Sequence, residues 1–288
     1  MKTFLRHSIS YLDLISWALV FVFFCGSALI NNGNITLATA GAFGVIVEMF
    51  FIAVSIEIVI DCLKNTKGIG TLTGFITNGP ETVCLIAGLI AGDIIFAAST
   101  PLGSNFINPI LLIIAALLCY RLKSVLSQNR LFTFVTISST ALLAGSFFFL
   151  NTNSYQLWLL VATAITVPLF FFRPNEEAND GTNDGTNDEK EEHSFSPSYW
   201  LFPAITCLTV AGYYLDRVVS FAAEQSMAPK GVIGFVVLAT LTSWPELKSC
   251  MALLKRNQIL AAILNITVSN ITNIWLAAVG IATYLFVR

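Results

Sequence analysis

Long apolar runs separated by short polar breaks dominate the chain, and no sustained two-residue alternation competes with them. Nine such windows stand out, at 11–31, 41–63, 70–92, 95–120, 131–150, 155–173, 200–222, 230–253 and 258–286. A helix of about 20 residues spans the roughly 30 Å hydrocarbon core of a bilayer. Strands of a membrane barrel would instead show segments of about ten residues with alternating polarity. Because no water reaches the bilayer core, backbone polar groups there must bond within their own segment, which selects helices. The pattern predicts an all-α, polytopic membrane helical bundle of about nine transmembrane helices. The first window follows Lys2 and Arg6; it is long enough to span and has no clean small-residue cleavage site, so it reads as a true helix and not a leader.

Composition sharpens this reading. Of 288 residues, 56% are hydrophobic and 11% charged, less than half the charge of a soluble domain, about 25%. A soluble enzyme, a nucleic-acid binder and a disulfide scaffold are all excluded as whole-chain readings. Eight of the 17 acidic residues fall between Glu176 and Glu192. That stretch, with its NDGTNDGTND run, is too polar to bury a core of its own. It divides the chain into an N-terminal membrane half at 1–173, an acidic linker at 174–198 and a C-terminal half at 199–288. Six cysteines lie in apolar segments without CxxC spacing, and both histidines lie outside those segments, which argues against a Cys/His metal site.

Lys and Arg are distributed unevenly among the breaks. With a cytoplasmic N-terminus, Lys2, Arg6, Lys64, Lys67, Arg121, Lys123, Arg130, Arg173, Lys190, Lys255 and Arg256 lie inside, leaving mainly Lys230 and Arg288 outside. The positive-inside rule then predicts N-in, C-out, with the acidic linker cytoplasmic. A cell (inner) membrane is the expected location.

Shifting the chain on itself by 165 residues brings GFITNGPE (Gly74 to Glu81) onto ATLTSWPE (Ala239 to Glu246), and GSNFIN (Gly103 to Asn108) onto VSNITN (Val268 to Asn273). The coincidences are rare polar residues: Thr77/Thr242, Pro80/Pro245, Glu81/Glu246, Ser104/Ser269, Asn105/Asn270 and Asn108/Asn273. Chance similarity between apolar helices would match leucines, so this is an internal repeat, with copies at about 70–120 and 230–286. Five predicted spans separate the starts of the two copies. An odd number makes the copies antiparallel across the membrane, the inverted-repeat plan of secondary transporters.

A carboxylate inside a membrane helix costs about 2.5–3.5 kcal/mol on insertion scales. Two at equivalent places therefore call for a compensating role. On a helix, Thr77 shares a face with Glu81, Ser104 with Asn108, Thr242 with Glu246, and Ser269 with Asn273. Pro80 and Pro245 cannot donate to the carbonyls of Ile76 and Leu241, which predicts helices broken one turn before each glutamate. Carboxylates, hydroxyls, amide oxygens and freed carbonyls are hard ligands suited to Na⁺ or Ca²⁺. The competing reading is polar glue between helices.

At these residues the sequence resembles the Ca²⁺/cation antiporter superfamily, which includes the sodium/calcium and proton/calcium exchangers. Thr-Ser-Trp-Pro-Glu at 242–246 is similar to the second-repeat signature, Thr-Asn-Gly-Pro-Glu at 77–81 to a variant of the first, and the Ser-Asn pairs at 104–105 and 269–270 to the second half of each repeat. The resemblance implies that Glu81 and Glu246 are the central cation ligands, with Thr77, Asn78, Ser104, Asn108, Thr242, Ser243, Ser269 and Asn273 around them. It also implies that the spans at 41–63 and 200–222 slide during alternating access. Two departures bear on coupling: where sodium/calcium exchangers add a third carboxylate this chain has Asn108 and Asn273, and Asn78 resembles the proton-coupled branch whereas Ser243 resembles the sodium-coupled one.

The functional expectation is a secondary active antiporter exchanging Ca²⁺ for Na⁺ or H⁺, with no catalytic residue and no bound cofactor. Its partners are membrane lipid and the transported cations. The family plan adds two further helices, so a second copy in a homo-oligomer, or another partner, could cover the face they occupy. A transport-inactive scaffold or ion sensor on the same fold is the alternative. An enzyme is not expected, since HExxH, GxGD and phosphate-binding loops are absent. Among the other charges near the spans, Lys248 falls about 200° around the helix from Glu246 and is expected to snorkel toward the cytoplasm.

Overall fold

The computed structural model describes residues 9, 11–90, 92, 94–176, 198–228, 241 and 243–287. Among them every regular element is helical. In chain order these are α1 (Tyr11–Ile30), α2 (Ile35–Leu63), α3 (Ile69–Ile76), α4 (Gly79–Ile90), α5 (Ile94–Leu118), α6 (Leu122–Ser127), α7 (Arg130–Phe147), α8 (Tyr155–Phe171), α9 (Leu201–Gln225), α10 (Trp244–Lys255) and α11 (Ile259–Val287).

Six segments are long and apolar enough to cross a membrane: Asp13–Ile30, Ile35–Leu63, Pro101–Leu118, Arg130–Phe147, Thr152–Phe171 and Ile259–Val287. The other three predicted windows differ. The window at 70–92 is two helices, α3 and α4, interrupted at Thr77 and Asn78. The window at 200–222 is one continuous helix of 25 residues, but it carries Asp216, Arg217 and Glu224. Half of the window at 230–253, like the acidic run beyond Glu176, lies outside the described residues. The distribution of side chains is that of a membrane-embedded protein. Leu19, Val22, Leu142 and Leu160 are exposed, while Asn105, Asn108, Asn265, Asn270 and Asn273 are fully buried. Apolar surface turned outward finds a favourable solvent in lipid, whereas buried amides need partners inside the protein.

The chain divides into two compact units. The first comprises Met1–Lys64 and Asp180–Lys248, the second Asn65–Asn179 and Ser249–Arg288.

In the first unit, α2 and α9 pack as an antiparallel pair through small residues. A Cβ on Gly41 would lie 2.8 Å from the Cβ of Ala222, and one on Gly44 would lie 2.7 Å from Val218. Backbones that approach this closely gain dispersion contacts, the main attraction available between helices in lipid. The turn before α2 is stitched to the end of α9: Asn34 N–H donates to Gln225 O at 2.8 Å, and Asn31 Nδ2 to Met227 O at 2.9 Å. The Asn34 side chain also caps α2 by accepting from Leu37 N–H at 3.1 Å. Helix α1 lies on α2, with Trp17 tilted against Phe50 and Phe24 fully buried. A buried ion pair completes this unit. Lys248 Nζ donates to both oxygens of Asp13, at 2.9 and 2.8 Å, with the two side chains only 4% and 2% exposed. The lysine therefore does not snorkel: a carboxylate from the first helix meets it inside the protein, a partner 235 residues away that helical periodicity cannot indicate.

In the second unit α11 is the central element, buried on all sides from Ala261 to Ile274. Helix α3 presses on it through Gly70, whose Cβ would fall 2.2 Å from Ala261 O, and Gly74, whose Cβ would fall 2.7 Å from Asn265 O. Helices α7 and α8 buttress it with aromatic side chains. Phe147 stacks on Tyr155 and meets Trp158 edge-on. Trp275 packs on Phe170 and donates to Thr166 Oγ1 at 2.9 Å. Just past α8, Arg173 lies over the Phe170 ring and donates to Thr71 Oγ1, while Glu176 accepts from Gly70 N–H with both oxygens, at 2.9 and 3.0 Å. Glu176 thus supplies the cap that Gly68, at the N-terminus of α3, cannot.

Two stability outcomes follow. Truncating one partner of a buried pair strands a charge, at a cost of about 3–5 kcal/mol. Lys248→Met and Asp13→Leu are each expected to lower the melting temperature in detergent sharply, and the double variant to recover most of the loss. Burial pushes the Glu176 carboxyl above its ordinary 4.5, against the opposing pull of the Gly70 and Thr71 N–H groups and Arg173. A raised folded-state pKa means the folded protein holds this proton more tightly. The resulting stabilisation is present below 4.5 and is lost as pH rises through the folded value. Glu176→Gln, which cannot ionise, is expected to flatten the fall in melting temperature over that window.

Candidate cation site

Local structure places each glutamate at the same point of a helix. Helix α3 ends at Ile76, and Thr77 and Asn78 form a turn in which their N–H groups donate to Thr73 O and Phe75 O at 2.9 and 3.3 Å. Helix α4 then starts at Gly79, so Pro80 occupies its first turn, where a missing N–H costs no helical bond. The interruption thus precedes the proline by two residues, and its main effect is on the glutamate. Glu81 becomes the third residue of a new helix, where the positive end of the helix dipole offsets part of the cost of burying a carboxylate. Glu81 is buried, and Ser104 Oγ, from α5, donates to its Oε1 at 3.4 Å.

The start of α10, in the first unit, repeats the start of α4. Ser243 is in a turn, α10 starts at Trp244, and the fully buried Glu246 is its third residue. Ser243 O accepts from Leu247 N–H at 3.3 Å. Thr242 lies outside the described residues. The starts of α4 and α10 are 165 residues apart, as are those of α5 and α11.

Within the second unit, amides of the two sequence copies form a closed lattice where α5 meets α11. Asn105 Nδ2 donates to Asn270 O at 3.2 Å, and Asn270 Nδ2 donates back to Asn105 O at 3.4 Å. Asn273 Nδ2 donates to Asn105 Oδ1 at 3.2 Å, and Asn108 Nδ2 to Asn270 Oδ1 at 3.0 Å. Each bond has a counterpart under the 165-residue shift. Ser269 joins the lattice, receiving Asn108 Nδ2 at 3.2 Å and donating to Asn78 Oδ1 at 2.8 Å, while Asn78 Nδ2 donates to Ser269 O at 3.0 Å. Thr140 of α7 accepts from Asn270 Nδ2 at 3.4 Å and donates to Thr136 O at 2.8 Å.

The structure therefore links Asn78, Asn108 and Ser269 directly, joins Ser104 to Glu81, and ties Asn273 into the same lattice through Asn105. Asn105, Asn270 and Thr140 were absent from the expected ligand set. For Asn105 and Asn270 the signal was their coincidence under the repeat shift; Thr140 had none. Buried oxygens that accept no hydrogen bond among the described residues include Thr77 Oγ1, Asn108 Oδ1 and Asn273 Oδ1. Uncharged oxygens of this kind, like the carboxylate of Glu81, are hard donors of the class that suits Na⁺ or Ca²⁺. No group of three or more His, Cys, Asp and Glu placed to hold a metal ion occurs among the described residues.

The two threonines separate structure from ligation. The Thr77 hydroxyl oxygen makes no hydrogen bond, so isosteric Thr77→Val is expected to change stability by less than about 1 kcal/mol. Thr140→Val strands a buried amide hydrogen of Asn270 and is expected to cost about 1–3 kcal/mol. Thermal denaturation in cation-free detergent solution measures both.

Comparison of the chain with protein-family models, with curated proteins and with solved structures finds no match.

Proposed function

We propose that the chain is a secondary active cation antiporter that exchanges Ca²⁺ for Na⁺ or H⁺, with Glu81 and Glu246 as its ion-binding carboxylates. One observation carries this reading: each glutamate is buried and is the third residue of a helix, Glu81 directly after the break between α3 and α4 and Glu246 directly after the turn at Ser243, at positions 165 residues apart. Discontinuous helices whose N-termini point at ion sites are the recurring construction of secondary transporters. The reciprocal bonds between Asn105 and Asn270 support the repeat, since a two-fold relation makes a residue and its mate contact each other equivalently.

In this reading the chain has nine spans, with the N-terminus and the acidic linker cytoplasmic in the cell membrane, as the Lys and Arg distribution favours. Helices α2 and α9 are the sliding pair, and their close glycine and alanine contacts suit them to move as one body. Two carboxylates are neutralised by one Ca²⁺, two Na⁺ or two H⁺. A third monovalent cation would leave net positive charge in a low-dielectric site, at a cost that rises as the dielectric falls. Two monovalent cations per Ca²⁺ and an electroneutral cycle follow.

Reconstitution into liposomes tests this. Imposed Na⁺ or H⁺ gradients are expected to drive Ca²⁺ uptake with little dependence on membrane potential. Glu81→Gln and Glu246→Gln are each expected to abolish it while the purified protein remains folded. Uptake unchanged in either variant would reject the assignment. Cation-dependent thermal stabilisation without any flux would instead identify a transport-inactive sensor or scaffold.

A further inference from the structure

The asparagine lattice settles a question that the ligand set alone leaves open, namely which end of each amide faces a cation. An asparagine side chain offers one accepting oxygen and one donating nitrogen of nearly equal size, so its orientation is set by its neighbours. A backbone carbonyl can only accept. Because Asn105 Nδ2 lies 3.2 Å from Asn270 O, its amide has one orientation, and its Oδ1 must face Asn273. Asn273 can meet that oxygen only with its own Nδ2, at 3.2 Å, which leaves Asn273 Oδ1 buried and accepting nothing among the described residues. The mirrored chain starts from Asn105 O. It orients Asn270 Nδ2 at 3.4 Å, turns Asn270 Oδ1 toward Asn108 Nδ2 at 3.0 Å, and leaves Asn108 Oδ1 in the same condition.

Resting on the cation-site reading above, the geometry points to Asn105 and Asn270 as crossed positioning residues. Asn105 holds Asn273, of the other sequence copy, oxygen-first toward a hard cation such as Ca²⁺, and Asn270 does the same for Asn108. Neither Asn105 nor Asn270 is itself a ligand, since both ends of each side chain are committed to protein partners. The crossing has a second consequence. The bonds that orient Asn105 and Asn270 end on backbone carbonyls, so truncating one side chain leaves the acceptor that orients the other in place. The two arms are therefore separable by mutation.

A double-mutant cycle with Ca²⁺ alone as the probe tests this, using calorimetric titration of the purified full chain in detergent. Removing an outer-sphere orienting partner commonly weakens metal affinity roughly 10- to 100-fold, and Asn105→Ala is expected to weaken Ca²⁺ binding within that range. In an Asn273→Ala background, where the amide it orients is gone, the same substitution is expected to have almost no further effect. In an Asn108→Ala background its full effect is expected to persist. Asn270→Ala is expected to show the reverse pattern, silent with Asn108→Ala and fully effective with Asn273→Ala. A general loss of packing would act alike in both backgrounds. If Asn105→Ala does not fold, the Asn270 arm and the milder Asn105→Ser variant carry the same cycle. Equal effects in both backgrounds would overturn the positioning role while leaving the cation site intact. A wild-type chain that binds no Ca²⁺ would overturn both.

Discussion

A polar group in an apolar medium must find a partner within the protein, and most of this structure can be traced to that requirement. It confines the backbone to helices, because a helix bonds its peptide groups to itself where no water can. It also governs the few polar side chains that the helices carry inward. Each solution differs according to whether the group is a donor, an acceptor or a charge, and each solution places a particular residue.

For charges the structure uses two devices. Asp13 and Lys248 neutralise each other directly, with both side chains almost completely buried. Such a pair is poor evidence of added stability, since its Coulombic gain is largely consumed by desolvation; what it provides is a strong penalty for any arrangement that separates the partners. It makes α1 an integral part of the first unit. Glu81 and Glu246 are treated differently, each set in the first turn of a fresh helix where backbone dipoles give partial compensation.

For amides the solution is mutual. Four asparagines bond in a closed arrangement in which two backbone carbonyls, being unable to donate, dictate every orientation. Their nitrogens are consumed, and two oxygens remain without donors among the described residues.

The sequence by itself determined the all-helical membrane character and the coincidence of rare polar residues at a spacing of 165. These properties are local or periodic: apolar run length sets a span, and shared rare polar residues reveal a duplicated segment. The interruption before Glu81 was also legible from Pro80, although the turn falls at Thr77 and Asn78, because a proline is easily housed in a helix's first turn. Only the tertiary structure decided which polar groups meet. Nothing near Lys248 in sequence indicates Asp13, and nothing near Asn270 indicates Thr140. The orientation of Asn108 and Asn273 was equally hidden, since an amide's two ends differ only in the partners that packing brings to them. Composition and periodicity specify which groups must be satisfied; the packing of distant helices decides by what.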